Sequence, residues 1–181
     1  MTTLTNPRRA ALLAALLMTF AVLALGRTAT PADAATPTCS KPVGLTLASG
    51  SKLFIHDDDS SFLYSGADEA TFNLSGIAVK PLGCGTTRTT HFERCVDEVR
   101  VETDIKVQRP AVATADLIVD VYSTLYEGVT CATEDKDGTM HARYYVSPGD
   151  DFHGWFTTYN EDELSGDVGR TELLMRSDVL A

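Results

Sequence analysis

Beyond Gly26 no stretch of this chain carries a sustained helical period of apolar residues, which excludes a fold built on long helices. Positive charge is scarce too. Fifteen Lys and Arg stand against 25 Asp and Glu, a formal net charge of −10. That balance repels nucleic acid and anionic membranes, so neither is an expected partner, and it keeps an exported chain soluble. The spacings that announce metal or catalytic chemistry are missing. There is no C-x-x-C, H-x-H or H-E-x-x-H, and His56, His91, His141 and His153 are scattered. A transition-metal site would need His141 and His153 brought together by strand pairing; strand-end or surface histidines are the plainer reading. No G-x-S-x-G elbow presents a serine nucleophile. Ser, His and Asp occur in almost any chain of this length, so their presence assigns no triad.

Only one long hydrophobic run exists, from Ala10 to Gly26. A basic head with Arg8 and Arg9 precedes it, and Ala32-Asp33-Ala34 follows. This is the order of a secretory signal peptide, so residues 1–34 are expected to be cleaved, with retention as a membrane anchor the alternative. Residues 35–42, with Pro37 and Pro42, are an extended lead-in, and 43–181 form a single domain. Once the run is removed, no apolar segment long enough to span a membrane remains. Cleavage takes three arginines and one aspartate away, so the acidic excess grows.

All four cysteines, Cys39, Cys84, Cys95 and Cys131, follow the cleavage site. An even count in an exported chain predicts two disulfides. The loop-like Gly85–Thr90 favours Cys84–Cys95, which leaves Cys39–Cys131 to tie the lead-in to a later strand or turn.

The dominant period is two. Val99, Val101, Ile105 and Val107 alternate with Arg100, Glu102, Asp104 and Lys106, the pattern of a strand with one dry and one wet face. Leu117–Tyr126 is apolar on both sides and predicts a central strand. Further strands are expected at Leu45–Ala48, Leu53–His56, Thr71–Val79, Met140–Val146, Phe152–Tyr159 and Arg170–Arg176, the last also readable as a short helix. Glu134–Gly138 and Ser147–Asp150 read as turns. About eight strands at this spacing predict an all-β fold, an antiparallel β-sandwich with Greek-key or jelly-roll connections, or alternatively a small β-barrel.

Three functional readings follow. Trp155, Tyr145 and Tyr159 would form an aromatic patch that stacks sugars or packs a protein partner, although strands also bury aromatics at alternate positions. The first reading is therefore a secreted, non-catalytic domain that binds a protein or an envelope component. The second is a small secreted hydrolase using loop carboxylates or a histidine. The third is a calcium-stabilised extracellular module. Asp135-Lys136-Asp137-Gly138 offers two acids and a bend glycine as oxygen ligands, without the third acid and the closing glutamate of an EF-hand loop. His56–Asp59, Asp150-Asp151 and Glu161-Asp162-Glu163 are further acidic loops.

Overall fold

The structure, a computed structural model, describes residues 41–58, 66–112, 115–161 and 166–180. The expected signal segment 1–34, most of the lead-in, and Cys39 lie outside the described residues. The fold is all-β, with ten strands and, among the described residues, no helix. They are β1 (Val43–Leu47), β2 (Lys52–Asp57), β3 (Asp68–Asn73), β4 (Ala78–Leu82), β5 (Thr87–Val96), β6 (Val99–Gln108), β7 (Leu117–Tyr126), β8 (Lys136–Val146), β9 (Asp151–Tyr159) and β10 (Val168–Val179).

Two antiparallel sheets result. Sheet one holds β1–β4, β9 and β10; sheet two has the order β5-β6-β7-β8. In sheet one, β10 pairs with β9 along one edge. Along its other edge its first half pairs with β2 and its second half with β1. In the same way β2 pairs with β3, and β1 with β4. So β1–β2 and β3–β4 are each one long strand broken in the middle. The ten segments behave as eight long strands, four per sheet; the eight expected from the sequence count β1 and β2 separately, run β3 and β4 together and lack β5. Among the described residues the ladders show no Greek-key or jelly-roll crossing. Ladder partners are neighbours along the chain, except that β10 closes back onto β1 and β2. Short connections and a plain alternation of strand direction explain this, since each hairpin delivers the next strand directly beside the last. Among the described residues no ladder joins β3 or β4 to β5, or β8 to β9, so the barrel alternative is not realised.

The break between β1 and β2 shows how the ladder survives an interruption. Four residues, Ala48–Ser51, lie where β10 supplies only Leu173 and Leu174, and Gly50 takes a φ of 99° that a side chain would strain. The buried Ser51 hydroxyl stands in for the lost backbone partners. It donates to the Leu174 carbonyl and accepts from the Leu174 N–H, both at 3.0 Å.

The core follows from the period-two alternation. Val99, Val101, Ile105 and Val107 of β6 and Leu117, Val119, Val121 and Leu125 of β7 are buried against Leu45, Leu53, Ile55, Leu173 and Met175 of sheet one. Full burial of such a side chain contributes roughly 1.5–3 kcal/mol. The central placement expected for Leu117–Tyr126 holds, because β7 lies between β6 and β8 with the same boundaries. The C-terminal segment is a strand and not a helix: Thr171, Leu173, Met175 and Ser177 alternate inward along β10. The Glu134–Gly138 turn is shorter than expected, since β8 already starts at Lys136. A side chain at Gly138 would collide with the Tyr159 carbonyl, so glycine permits β8 to approach β9 there.

The cysteine pairing differs from the expectation. Cys95 is bonded to Cys131, with a Cα–Cα distance of 5.8 Å. This overturns both Cys84–Cys95 and Cys39–Cys131. Cys84 is also in a disulfide, and no described cysteine is free. Residues 87–96 are not a loop but the ten-residue strand β5. Extended chain at about 3.3 Å per residue holds Cys84 and Cys95 roughly 30 Å apart, far beyond the ~6 Å reach of a disulfide. The observed bond instead ties the end of β5 across β6 to the loop after β7.

Candidate functional site

Alternation along β9 turns Phe156 and Thr158 into the core and leaves His153, Trp155 and Tyr159 on the outer face of sheet one. Trp155 is 72% exposed and Tyr159 63%. The same rule turns Arg170 and Glu172 outward from β10, Lys52 and Phe54 from β2, and Thr71 from β3. Antiparallel register sets these side chains in two rows. Trp155 lies opposite Glu172, and Glu172 opposite Lys52. One step along, Thr157, Arg170, Phe54 and Thr71 lie side by side. Together Lys52, Phe54, Thr71, His153, Trp155, Arg170 and Glu172 line an open groove of about 440 Å³.

Glu172 anchors its electrostatics. Lys52 Nζ lies 3.1 Å from Glu172 Oε2, and His153 Nε2 lies 2.8 Å from Oε1. The Lys52 hydrogen bond, followed by that of His153, holds the Glu172 carboxyl below the usual glutamate range. A carboxylate kept ionised, with both oxygens engaged, is a fixed acceptor and a poor proton donor. Among the described residues, Glu172 is the one carboxylate lining the groove. Arg170 has no ion-pair partner among the described residues.

The outer face of sheet two is organised differently. Asp120 of β7 is almost fully buried and lies directly opposite Arg143 of β8. Arg143 grips it with Nε at 2.7 Å from Oδ1 and Nη2 at 3.0 Å from Oδ2, while His141 Nε2 lies 3.0 Å from Oδ1. The Arg143 bond is the main reason that the Asp120 carboxyl sits below its usual range; burial works in the opposite sense. Tyr122 stacks on His141, ring centroids 4.4 Å apart. Alongside, His91 Nδ1 lies 2.9 Å from Asp104 Oδ1.

The predicted aromatic patch is thus split. Trp155 and Tyr159 share the outer face of sheet one, whereas Tyr145, 63% exposed on β8, belongs to the outer face of sheet two. The two histidines proposed as a metal pair are separated likewise, His141 bonded to Asp120 and His153 to Glu172. The acidic loops serve strand ends. The Asp137 carboxylate accepts the Glu127 N–H at 2.7 Å, and the Asp135 carbonyl accepts the same N–H at 3.3 Å. Asp167 accepts the Asp58 N–H at 2.6 Å, and Asp57 accepts the Glu98 N–H at 3.3 Å. Among the described residues no three His, Cys, Asp or Glu converge to hold a metal ion. Asp59, Asp162 and Glu163 lie outside the described residues. Among the described residues, too, no helix is long and apolar enough to cross a membrane.

No protein-family model, no curated protein and no solved structure matches this chain.

Sequence reasoning missed Lys52, Phe54, Thr71, Arg170 and Glu172 as groove residues. The signal for Phe54 was present: Leu53 and Ile55 face the core, so Lys52, Phe54 and His56 must face out. Nothing local says that β2 lies beside β10.

Proposed function

We propose that the protein is a secreted, non-catalytic binding domain that holds an envelope component or a protein partner in the groove on the outer face of sheet one. The observation that carries this reading is the exposed Trp155 beside an ion-paired network fixed around Glu172. A flat aromatic surface rimmed by polar groups held in place is what recognition requires. Both Glu172 oxygens are engaged by Lys52 and His153, which makes this carboxylate a fixed acceptor for a ligand. The export pattern of residues 1–34 supports the secreted location, and the Cys95–Cys131 bond is compatible with it. The test is co-sedimentation of the mature protein with purified cell-envelope fragments, with a reducing-end assay in parallel. The reading expects wild type in the pellet, Trp155→Ala in the supernatant and no new reducing ends. Equal pelleting of Trp155→Ala, or wild type staying in solution, would sink it.

A further inference from the structure

Resting on the groove reading, we infer that the occupant is an anionic saccharide, a sugar chain bearing carboxylates, with Trp155 as its stacking platform and Arg170 as its carboxylate contact. Three observations point there.

First, the two middle strands of the groove floor offer side chains but no free backbone. Within it, β10 is paired on both sides, to β9 and β2, and β2 is paired to β10 and β3. A peptide laid across it would lose hydration from its N–H and C=O groups with no ladder to receive them, which costs free energy for each group. A sugar ring needs no ladder. It presents an apolar C–H face to an indole and a rim of hydroxyls to fixed polar groups, here Glu172, Lys52, His153 and Thr71.

Second, the local charge is inverted. The chain as a whole carries −10, yet among the described residues the groove is lined by Lys52 and Arg170 against the single carboxylate of Glu172. Lys52 and His153 already answer that carboxylate. Arg170 is left over, between Thr157 and Phe54, without an acid among the described residues. A guanidinium takes a carboxylate in a two-pronged geometry.

Third, the opposing long-range term is weak at contact. The acidic chain repels an anion, but at physiological salt that repulsion is screened beyond about 8 Å. Arg170 acts inside that distance.

Trp155 is the only tryptophan in the chain, so its emission reports the groove directly. The experiment titrates the mature protein with an oligouronate of a few sugar units, with the same oligosaccharide reduced at its carboxyls, and with oligoglutamate. The expected result is a saturable emission change with the oligouronate, at least about tenfold weaker for the neutral sugar and for oligoglutamate. Arg170→Gln should lose about tenfold affinity for the oligouronate and leave the neutral sugar unaffected, with an unchanged melting temperature. Equal affinity for the neutral sugar, equal affinity for oligoglutamate, or an Arg170→Gln variant that binds the oligouronate like wild type each overturns the inference. Trp155-dependent pelleting with envelope fragments but no response to the oligouronate overturns the saccharide assignment alone. Pelleting that ignores Trp155 overturns the groove reading beneath it.

Discussion

On the outer face of sheet two Arg143 faces an acid; on the outer face of sheet one Arg170 does not. Asp120 lies directly opposite Arg143, and Arg143 and His141 engage both of its oxygens. Arg170 lies opposite Phe54 on one side and Thr157 on the other, while Glu172 draws in Lys52 and His153 instead. Both faces carry the same ingredients: a carboxylate, a histidine, cations and aromatics. Register alone decides that one cluster is satisfied from within and the other leaves a cation and an indole facing solvent. Surface charge that closes on itself stabilises a sheet; surface charge left without a partner is available to a ligand.

The contrast also follows the regularity of the sheets. Sheet two consists of four unbroken strands with one register shift, at Leu125 and Tyr126 against β8, whereas sheet one is interrupted between β1 and β2 and between β3 and β4. The groove begins at Lys52, the first residue after one such break. Bulges next to binding sites re-aim side chains that a continuous strand would hold in rank.

Four experiments would break or sharpen this comparison. The largest effect is expected at the covalent tie of sheet two. Cys95→Ser with Cys131→Ser frees a segment of 36 residues. In the chain-entropy account that lowers stability by about 3–4 kcal/mol. Urea unfolding followed by Trp155 emission measures it; an unmoved midpoint would mean that the ladder of β5, β6 and β7 holds without the bond.

Next comes Asp120→Ala, which leaves the Arg143 guanidinium without its acceptor. Arg143 and His141 are about half exposed and can be rehydrated, so a loss of about 1–2 kcal/mol is expected, read as a lower denaturation midpoint. The same site gives a pH signature. A carboxyl held below the ordinary aspartate value of 3.8 contributes stability that is fully present above that value and is lost as pH falls through its lower folded value. Asp120→Asn should therefore flatten the acid limb of the stability profile between roughly pH 5 and 2. A variant with the same acid limb as wild type would remove Asp120 from that role.

Ser51→Ala is expected to cost about 1 kcal/mol by leaving the Leu174 N–H without its acceptor, while the Leu174 carbonyl keeps the Ala48 N–H at 2.6 Å. Its more telling readout is hydrogen exchange at Leu174, which should accelerate; unchanged protection would show that the strand break closes without the hydroxyl.

The smallest effect belongs to the groove. Trp155→Ala should change stability by less than about 0.5 kcal/mol, because the side chain covers little core. A drop in melting temperature as large as that of Asp120→Ala would make Trp155 structural and erase the distinction between the faces.

Much of this was legible in the sequence. The alternation in Val99–Val107 and Leu117–Leu125 marked β6 and β7 and their inward faces before any coordinates. Strand β5 was not recognised, although the β-branched Thr87, Thr89 and Thr90 favour extended chain, because the cysteines on either side invited a loop. Trp155 and Tyr159 stood out as a patch, but Tyr145 was grouped with them because nearness in sequence was taken for nearness in space. The residues that complete the groove come from strands far apart in the chain. Ser51 and Leu174, which meet through the Ser51 hydroxyl, are 123 residues apart.

By itself the sequence determined what depends on local geometry: where most of the strands between Val43 and Val179 lie, and which of their side chains face the core, because successive side chains of extended backbone point to opposite sides. Only the tertiary structure decided which strands lie side by side, which cysteines pair, and that Arg170 faces Phe54 where Arg143 faces an acid. Backbone ladders form with nearly the same geometry between any two strands. The choice of neighbours is therefore made by packing the whole core at once, and from that choice came the groove.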